Sequence, residues 1–242
     1  MMARMRPSFM FVGDSMTIGS AGEHTWRYRM WQHLEAYLGP GGYAVVGPRT
    51  ALYDAEADAA VSSAYADPEF PPEAQRHLAG WGEGWVHMAP LVGETVAETG
   101  ADVLLVSLGL IDLGFYTNSA QTADNARVFL ASARAANPRV RAVLLPVLPN
   151  IRAEKDPSFA AQCADFNALL AQVVRDLHRP ESPLVLAAAP DPYELRTDTY
   201  DGTHPSPSGE HKVAAAFADA LYAAWGWGGP YRRGARLPAA GA

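Results

Sequence analysis

Phe9-Met10-Phe11-Val12-Gly13-Asp14-Ser15-Met16-Thr17 is the stretch around which the rest of the chain arranges itself. Phe9 to Val12 is a short apolar run with the character of a buried strand, and it stops at Gly13. Glycine permits a sharp turn, and the next two side chains can either cap a helix or carry chemistry. A serine at the C-terminal end of the first strand of an α/β protein stands where open sheets place their ligands. A serine ahead of a helix is also an ordinary N-cap, so this stretch alone leaves both roles open.

A distant stretch bears on that choice: Asp201-Gly202-Thr203-His204-Pro205-Ser206-Pro207-Ser208-Gly209. A carboxylate three residues before a histidine, on a Pro- and Gly-rich loop ahead of a helix, can supply an orienting group and a base together. A serine hydroxyl becomes a nucleophile when an imidazole takes its proton, and that imidazole needs its other nitrogen held by a carboxylate. Thr17 stands where a G-x-S-x-G elbow would need its second glycine, which argues against an ordinary α/β-hydrolase.

Strand and helix patterns alternate along the chain. Helices are expected over 25–38, from about 85 to 99, and over 119–136, 158–178 and 209–225, with strands over 9–12, 43–47, 101–108, 140–148 and 184–189. This alternation calls for one α/β domain over residues 1–226, three-layered α/β/α, around a parallel sheet of about five strands. From Pro48 to Gly80 the pattern breaks, and a connection of that length reads as a lid or substrate loop, with a short helix over 54–65. The Gly-, Arg-, Pro- and Ala-rich tail, 227–242, is expected to be mobile.

The 242 residues are 49% hydrophobic and 19% charged, with a net charge of −7, which gives no electrostatic case for nucleic acid or an anionic membrane. The single cysteine, Cys163, excludes an internal disulfide and reads as packing. No stretch approaches the roughly 20 apolar residues of a membrane span. Arg4 and Arg6 are followed by Pro7 and Ser8, and the apolar run after them is too short for a signal peptide, so a cytoplasmic location is expected. The histidines form no close ligand pair and no phosphate-cradling glycine motif follows a strand, so neither a metal nor a nucleotide cofactor is expected.

Gly13-Asp14-Ser15 near one end and Asp201-x-x-His204 near the other resemble the GDSL/SGNH hydrolases over nearly the whole chain. The resemblance implies a flavodoxin-like fold, with Ser15 as nucleophile, His204 as base and then acid, and Asp201 fixing the imidazole tautomer. It also directs attention to a glycine whose N–H, with that of Ser15, would hold the oxyanion. Gly84, followed by Trp85, resembles that position best, with Gly82 as the alternative register.

The family's third block, Gly-x-Asn-Asp, is here Gly109-Leu110-Ile111-Asp112, so an amide donor is replaced by a side chain that cannot donate. Losing one oxyanion donor typically costs about 10²–10³ in rate. Asn118 and Asn150 are the available substitute amides, and Asp112 is expected to order the loop or cap a helix. Trp81 and Trp85 flank the proposed oxyanion glycine and, with Asp14, Ile111 and Asn118, are the candidate substrate contacts; Trp26 and Trp31 read as core.

Tyr28-Arg29-x-Trp31, Val46-Gly47 and Gly84-Trp85 look like the branch that includes carbohydrate acetyl esterases. The expected reaction is hydrolysis of an acyl ester on a sugar or small molecule. Acyl transfer, another reaction such as elimination or cyclisation on the same scaffold, and a binding protein that has lost catalysis at Ile111 are the alternatives. Specificity is expected in 48–80 and in 113–119, which carry no readable code. Oligomeric state is open.

Overall fold

The computed structural model describes residues 6–233. A mixed α/β architecture is built on a six-stranded parallel sheet. Its strands are β1 (Ser8–Gly13), β2 (Ala44–Val45), β5 (Leu78–Ala79), β6 (Val103–Ser107), β7 (Arg141–Leu145) and β8 (Leu184–Leu186). The order is β2-β1-β6-β7-β8, with β5 sharing the β2 edge of β1. β2 pairs with Ser8 and Phe9 at the start of β1, whereas β5 pairs with Val12 and Gly13 at its end.

Period-2 alternation along the two central strands explains the three layers. Met10, Val12, Leu104 and Val106 face one core, packed by α3 (Trp85–Thr99), α4 (Ser119–Ala136) and α6 (Pro157–Leu177) through Trp85, Phe129 and Phe166. Phe9, Phe11, Val103 and Leu105 face the other, packed by α2 (Thr25–Leu38) and α8 (Pro207–Trp225) through Trp26, Leu34 and Phe217. α2 and α4 span the predicted residues. Short helices α1 (Ser15–Ile18), α5 (Ile151–Lys155) and α7 (Leu195–Asp198) were not visible as periodic patterns, because four or five residues carry no period.

The segment 48–80 departs from expectation. Instead of a helix over 54–65 it forms an antiparallel hairpin, β3 (Leu52–Asp54) with β4 (Ala59–Ser62). The Ala- and Glu-containing turn has fair helix propensity, but Asp54 Oδ1 accepts from the N–H groups of Glu56 and Ala57, and Asp58 takes φ 48°. That local Asx turn competes successfully with a helix. The segment then returns to the sheet as β5, the strand that raises the count from the expected five to six.

Fully buried Arg27 fastens the segment down, donating to the carbonyls of Thr17, Ile18 and Gln75 and to the Tyr65 hydroxyl. The start of the expected mobile tail is also packed: Trp227 lies edge-on to Phe9, and the Tyr231 hydroxyl meets His211 Nδ1. Residues 234–242 of that tail lie outside the described residues. No helix among the described residues is long and apolar enough to cross a membrane.

Candidate active site

β1 ends at Gly13, where a Cβ would come 1.9 Å from Thr17 Oγ1; glycine lets α1 fold back directly onto the strand end. Asp14 caps α1 by accepting from Met16 N–H at 3.0 Å. Ser15 is thereby the first residue of α1, at the C-terminal edge of the central strand, and is 4% exposed. Burial, partly offset by the Met16 hydrogen bond and reinforced by the nearby Asp112 charge, pushes the Asp14 carboxyl up to about 7.

The second loop is prearranged by its own aspartate. Asp201 Oδ1 accepts from the N–H groups of Thr203 and His204 at 2.9 and 2.8 Å, an Asx turn that folds the three-residue spacing into contact. Asp201 Oδ2 then lies 2.6 Å from His204 Nδ1. Ser206 caps α8 immediately afterwards, with Pro207 at its first turn, so the loop is seated on a long helix packed against the sheet. Burial pushes the Asp201 carboxyl up, but the His204 ring and the two backbone donors outweigh it and hold it below the usual carboxylate range.

These two loops, 189 positions apart, meet: His204 Nε2 lies 2.9 Å from Ser15 Oγ. The imidazole is flanked by aromatic rings. Trp81 stacks on it at 4.8 Å between centroids and Tyr200 lies near-parallel at 5.6 Å, while Tyr53 of the hairpin stacks on Trp81 at 4.0 Å. Trp81 reaches this place because β5 ends beside Gly13, and Gly80 N–H donates to the Gly13 carbonyl. Sequence reading missed Tyr200 and Tyr53; Tyr200, directly before Asp201, was the visible signal.

Ser15, Trp81, Gly82, Ile111 and His204 open on a cleft of about 380 Å³ whose walls also include Leu110, Phe115 and Phe159. A larger groove of about 710 Å³ between β8 and α8 contains none of the predicted site residues. Ile111 lies in the cleft, where the family pattern would have an amide. After it, residues Asp112–Tyr116 make a wide π-helical turn that sets Phe115 at the rim.

Other expected contacts lie elsewhere. Trp85 is fully buried and packs edge-on against Phe129 in the core, so its ring is structural. Gly84 starts α3 with its N–H donated to His87 Nδ1 at 3.0 Å; the glycine of this loop that lines the cleft is Gly82, the alternative register. Asn118 is exposed and caps α4 by accepting from Gln121 N–H. Asn150 does line the cleft, yet its oxygen caps α5 and its amide nitrogen donates to the Leu148 carbonyl. Asp14 is buried behind Ser15 and does not line the cleft. Asp112 accepts from the N–H groups of Trp85 and Val86, so it caps α3, as expected of it.

Comparison with known proteins agrees with the sequence resemblance. The model of the GDSL-like lipase/acylhydrolase family matches residues 11–212. No curated protein matches the chain. Among solved structures, a carbohydrate esterase family 3 protein from Talaromyces cellulolyticus superposes with a TM-score of 0.73 at 22% identity, covering 90% of this chain and 97% of the other. A family 3 carbohydrate esterase from Clostridium thermocellum gives 0.68 at 19% identity, covering 90% and 96%. An acetylxylan esterase from Geobacillus stearothermophilus, as a catalytic mutant, gives 0.64 at 14% identity, covering 96% and 100%. With its central sheet matching theirs and the family model spanning most of its length, the chain belongs to the GDSL-like lipase/acylhydrolase family, and is an SGNH-type serine esterase.

Proposed function

We propose that this esterase removes a short acyl group, acetyl, from a carbohydrate or similar polyhydroxylated alcohol, with Ser15, His204 and Asp201 as its catalytic triad. The observation that carries the reading is the unbroken chain from Ser15 Oγ to His204 Nε2 at 2.9 Å and from His204 Nδ1 to Asp201 Oδ2 at 2.6 Å. Each group lies within proton-transfer distance of the next.

In the first half-reaction Ser15 Oγ attacks the acyl carbon while its proton passes to His204. The tetrahedral intermediate collapses as His204 returns that proton to the departing alcohol oxygen, leaving acyl-Ser15. Water then repeats the sequence on the acyl-enzyme, releasing a carboxylic acid and restoring Ser15. The depressed Asp201 pKa keeps its carboxylate ionised opposite the imidazolium in both steps. The N–H groups of Ser15 and Gly82 are the oxyanion donors in this reading, Gly82 replacing Gly84 because the latter's N–H is already spent on His87. An acetyl methyl group suits a cleft lined by Trp81, Leu110 and Ile111, and the structural neighbours described as acetyl and carbohydrate esterases support the substrate class.

The test is fluorophosphonate labelling of wild type beside Ser15→Ala, with release of acetate from p-nitrophenyl acetate and acetylated sugars. Labelling confined to wild type, with acetate release, is the expected result. Labelling without net hydrolysis, but with acetyl appearing on an added alcohol, would replace hydrolysis by acyl transfer. Absence of labelling in folded wild type would overturn the triad.

A further inference from the structure

One charged side chain in the cleft has no part in the chemistry proposed above. Arg152, on α5, lines the same cleft as Ser15 and His204 and is the only Lys or Arg among the lining residues, which include no Asp or Glu. Its guanidinium lies 4.1 Å from the centroid of the buried Phe159 ring, and its Nη1 donates to the Gly114 carbonyl at 2.8 Å. Those two contacts fix the plane of the group but use one of its five N–H donors. Among the described residues no carboxylate lies within ion-pair distance of it. This occurs in a chain with seven more acidic than basic residues, a composition that makes a nearby partner easy to find.

We propose that Arg152 is an anion-binding subsite, and that the preferred substrate is an acyl ester whose alcohol part carries a carboxylate, as in an acetylated uronic acid. The assignment of charge to the alcohol part rests on the acetyl-esterase reading, since an acetyl group carries no ionisable group. A planar guanidinium with four N–H donors not spent within the protein can match a carboxylate bidentately. Arg152 is solvent-exposed where it lines the cleft, so the pair would form at the cleft mouth, where the alcohol part of an ester bound at Ser15 would leave the site. A purely structural Arg152 would account for the Gly114 and Phe159 contacts; what it would not produce is a preference for an anionic ester.

The test separates binding from turnover. Calorimetry on Ser15→Ala compares an O-acetylated methyl glucuronoside with the same acetylated methyl glucoside. The uronate ester should bind about tenfold more tightly, the order expected of one charge-assisted pair. Arg152→Met, which keeps the chain length over Phe159, should bring the two within about twofold in the same background, and Arg152→Lys should retain part of the preference. Equal binding of the two esters, binding of neither, or a preference that survives Arg152→Met overturns the subsite. Wild-type turnover of the neutral ester is read in parallel. Preference without any turnover would sink the hydrolase reading and keep the subsite; turnover without preference would do the reverse.

Discussion

Trp81 stacks on His204 with the two rings inclined by 14°, and Tyr53 stacks on the outer face of Trp81 at 12°. The imidazole proposed to pass a proton between Ser15 and a leaving group is therefore held by a residue that follows β5, itself backed by the β3–β4 hairpin. Replacing Trp81 by Ala should lower kcat for p-nitrophenyl acetate about tenfold, because a loosened base spends less time aligned with Ser15 Oγ. Trp81→Phe should recover most of the loss by restoring a flat ring. Tyr53→Ala, outside the cleft, should give a smaller fall in kcat with little change in KM. Unaltered kcat in Trp81→Ala would show that the Asp201 contact alone orients the ring.

Ile111 gives a prediction of the opposite sign. It stands in the Ser15 cleft where the family pattern has an asparagine; Asn118 lies outside that cleft, and Asn150, though it lines it, is held by capping α5 with its oxygen and donating to the Leu148 carbonyl. Ile111→Asn should therefore raise kcat/KM for p-nitrophenyl acetate by about tenfold or more, part of the roughly 10²–10³ a single oxyanion donor is worth. Rates of fluorophosphonate labelling should rise with it. No gain would mean that the backbone donors already complete the oxyanion hole.

The residues most legible in sequence were those whose roles are set locally. α2 and α4 follow from apolar spacing closed by Gly39 and by Asn137-Pro138, and Asp201 reaches His204 through a turn that the aspartate itself folds. The Gly-Trp pattern favours Gly84 over Gly82, but Gly80-Trp-Gly-Glu-Gly84 offers both registers and only the fold shows which N–H His87 takes. The aromatic column was invisible for a related reason. Tyr53, Trp81 and Tyr200 come from three separate segments and meet only because β5 inserts beside the end of β1. Trp85 misled because its neighbour is functional in the family pattern, whereas one step along α3 the side chain points into the core.

Gly84 has a structural requirement of its own. A Cβ there would fall 2.3 Å from Asp112 Oδ2, and that carboxylate caps α3 through Trp85 and Val86. Gly84→Ala should destabilise the fold by about 1–3 kcal/mol through overpacking, and Asp112→Ala by about 1–3 kcal/mol through two lost backbone partners. The double variant should lose less than the sum, since removing the carboxylate also removes the clash. Chemical denaturation of the four proteins completes the cycle; strict additivity would show that Gly84 and Asp112 do not interact.

Asp14 should make stability depend on pH in a direction opposite to that of a paired carboxylate. Its folded pKa is raised from 3.8 to about 7, chiefly by burial. Below pH 3.8 the group is protonated in both states. Between 3.8 and about 7 the folded protein retains a proton that the unfolded chain has released, so stability falls as pH rises through this window and levels off above it. Asp14→Asn keeps an oxygen able to accept from Met16 N–H and removes the titration. Urea melts of both proteins from pH 4 to pH 8 should show the variant gaining on wild type as pH climbs towards about 7, with a constant difference beyond. A difference that is flat across the whole range would mean that Asp14 is ionised in the folded protein throughout, its Met16 hydrogen bond having overcome the cost of burial.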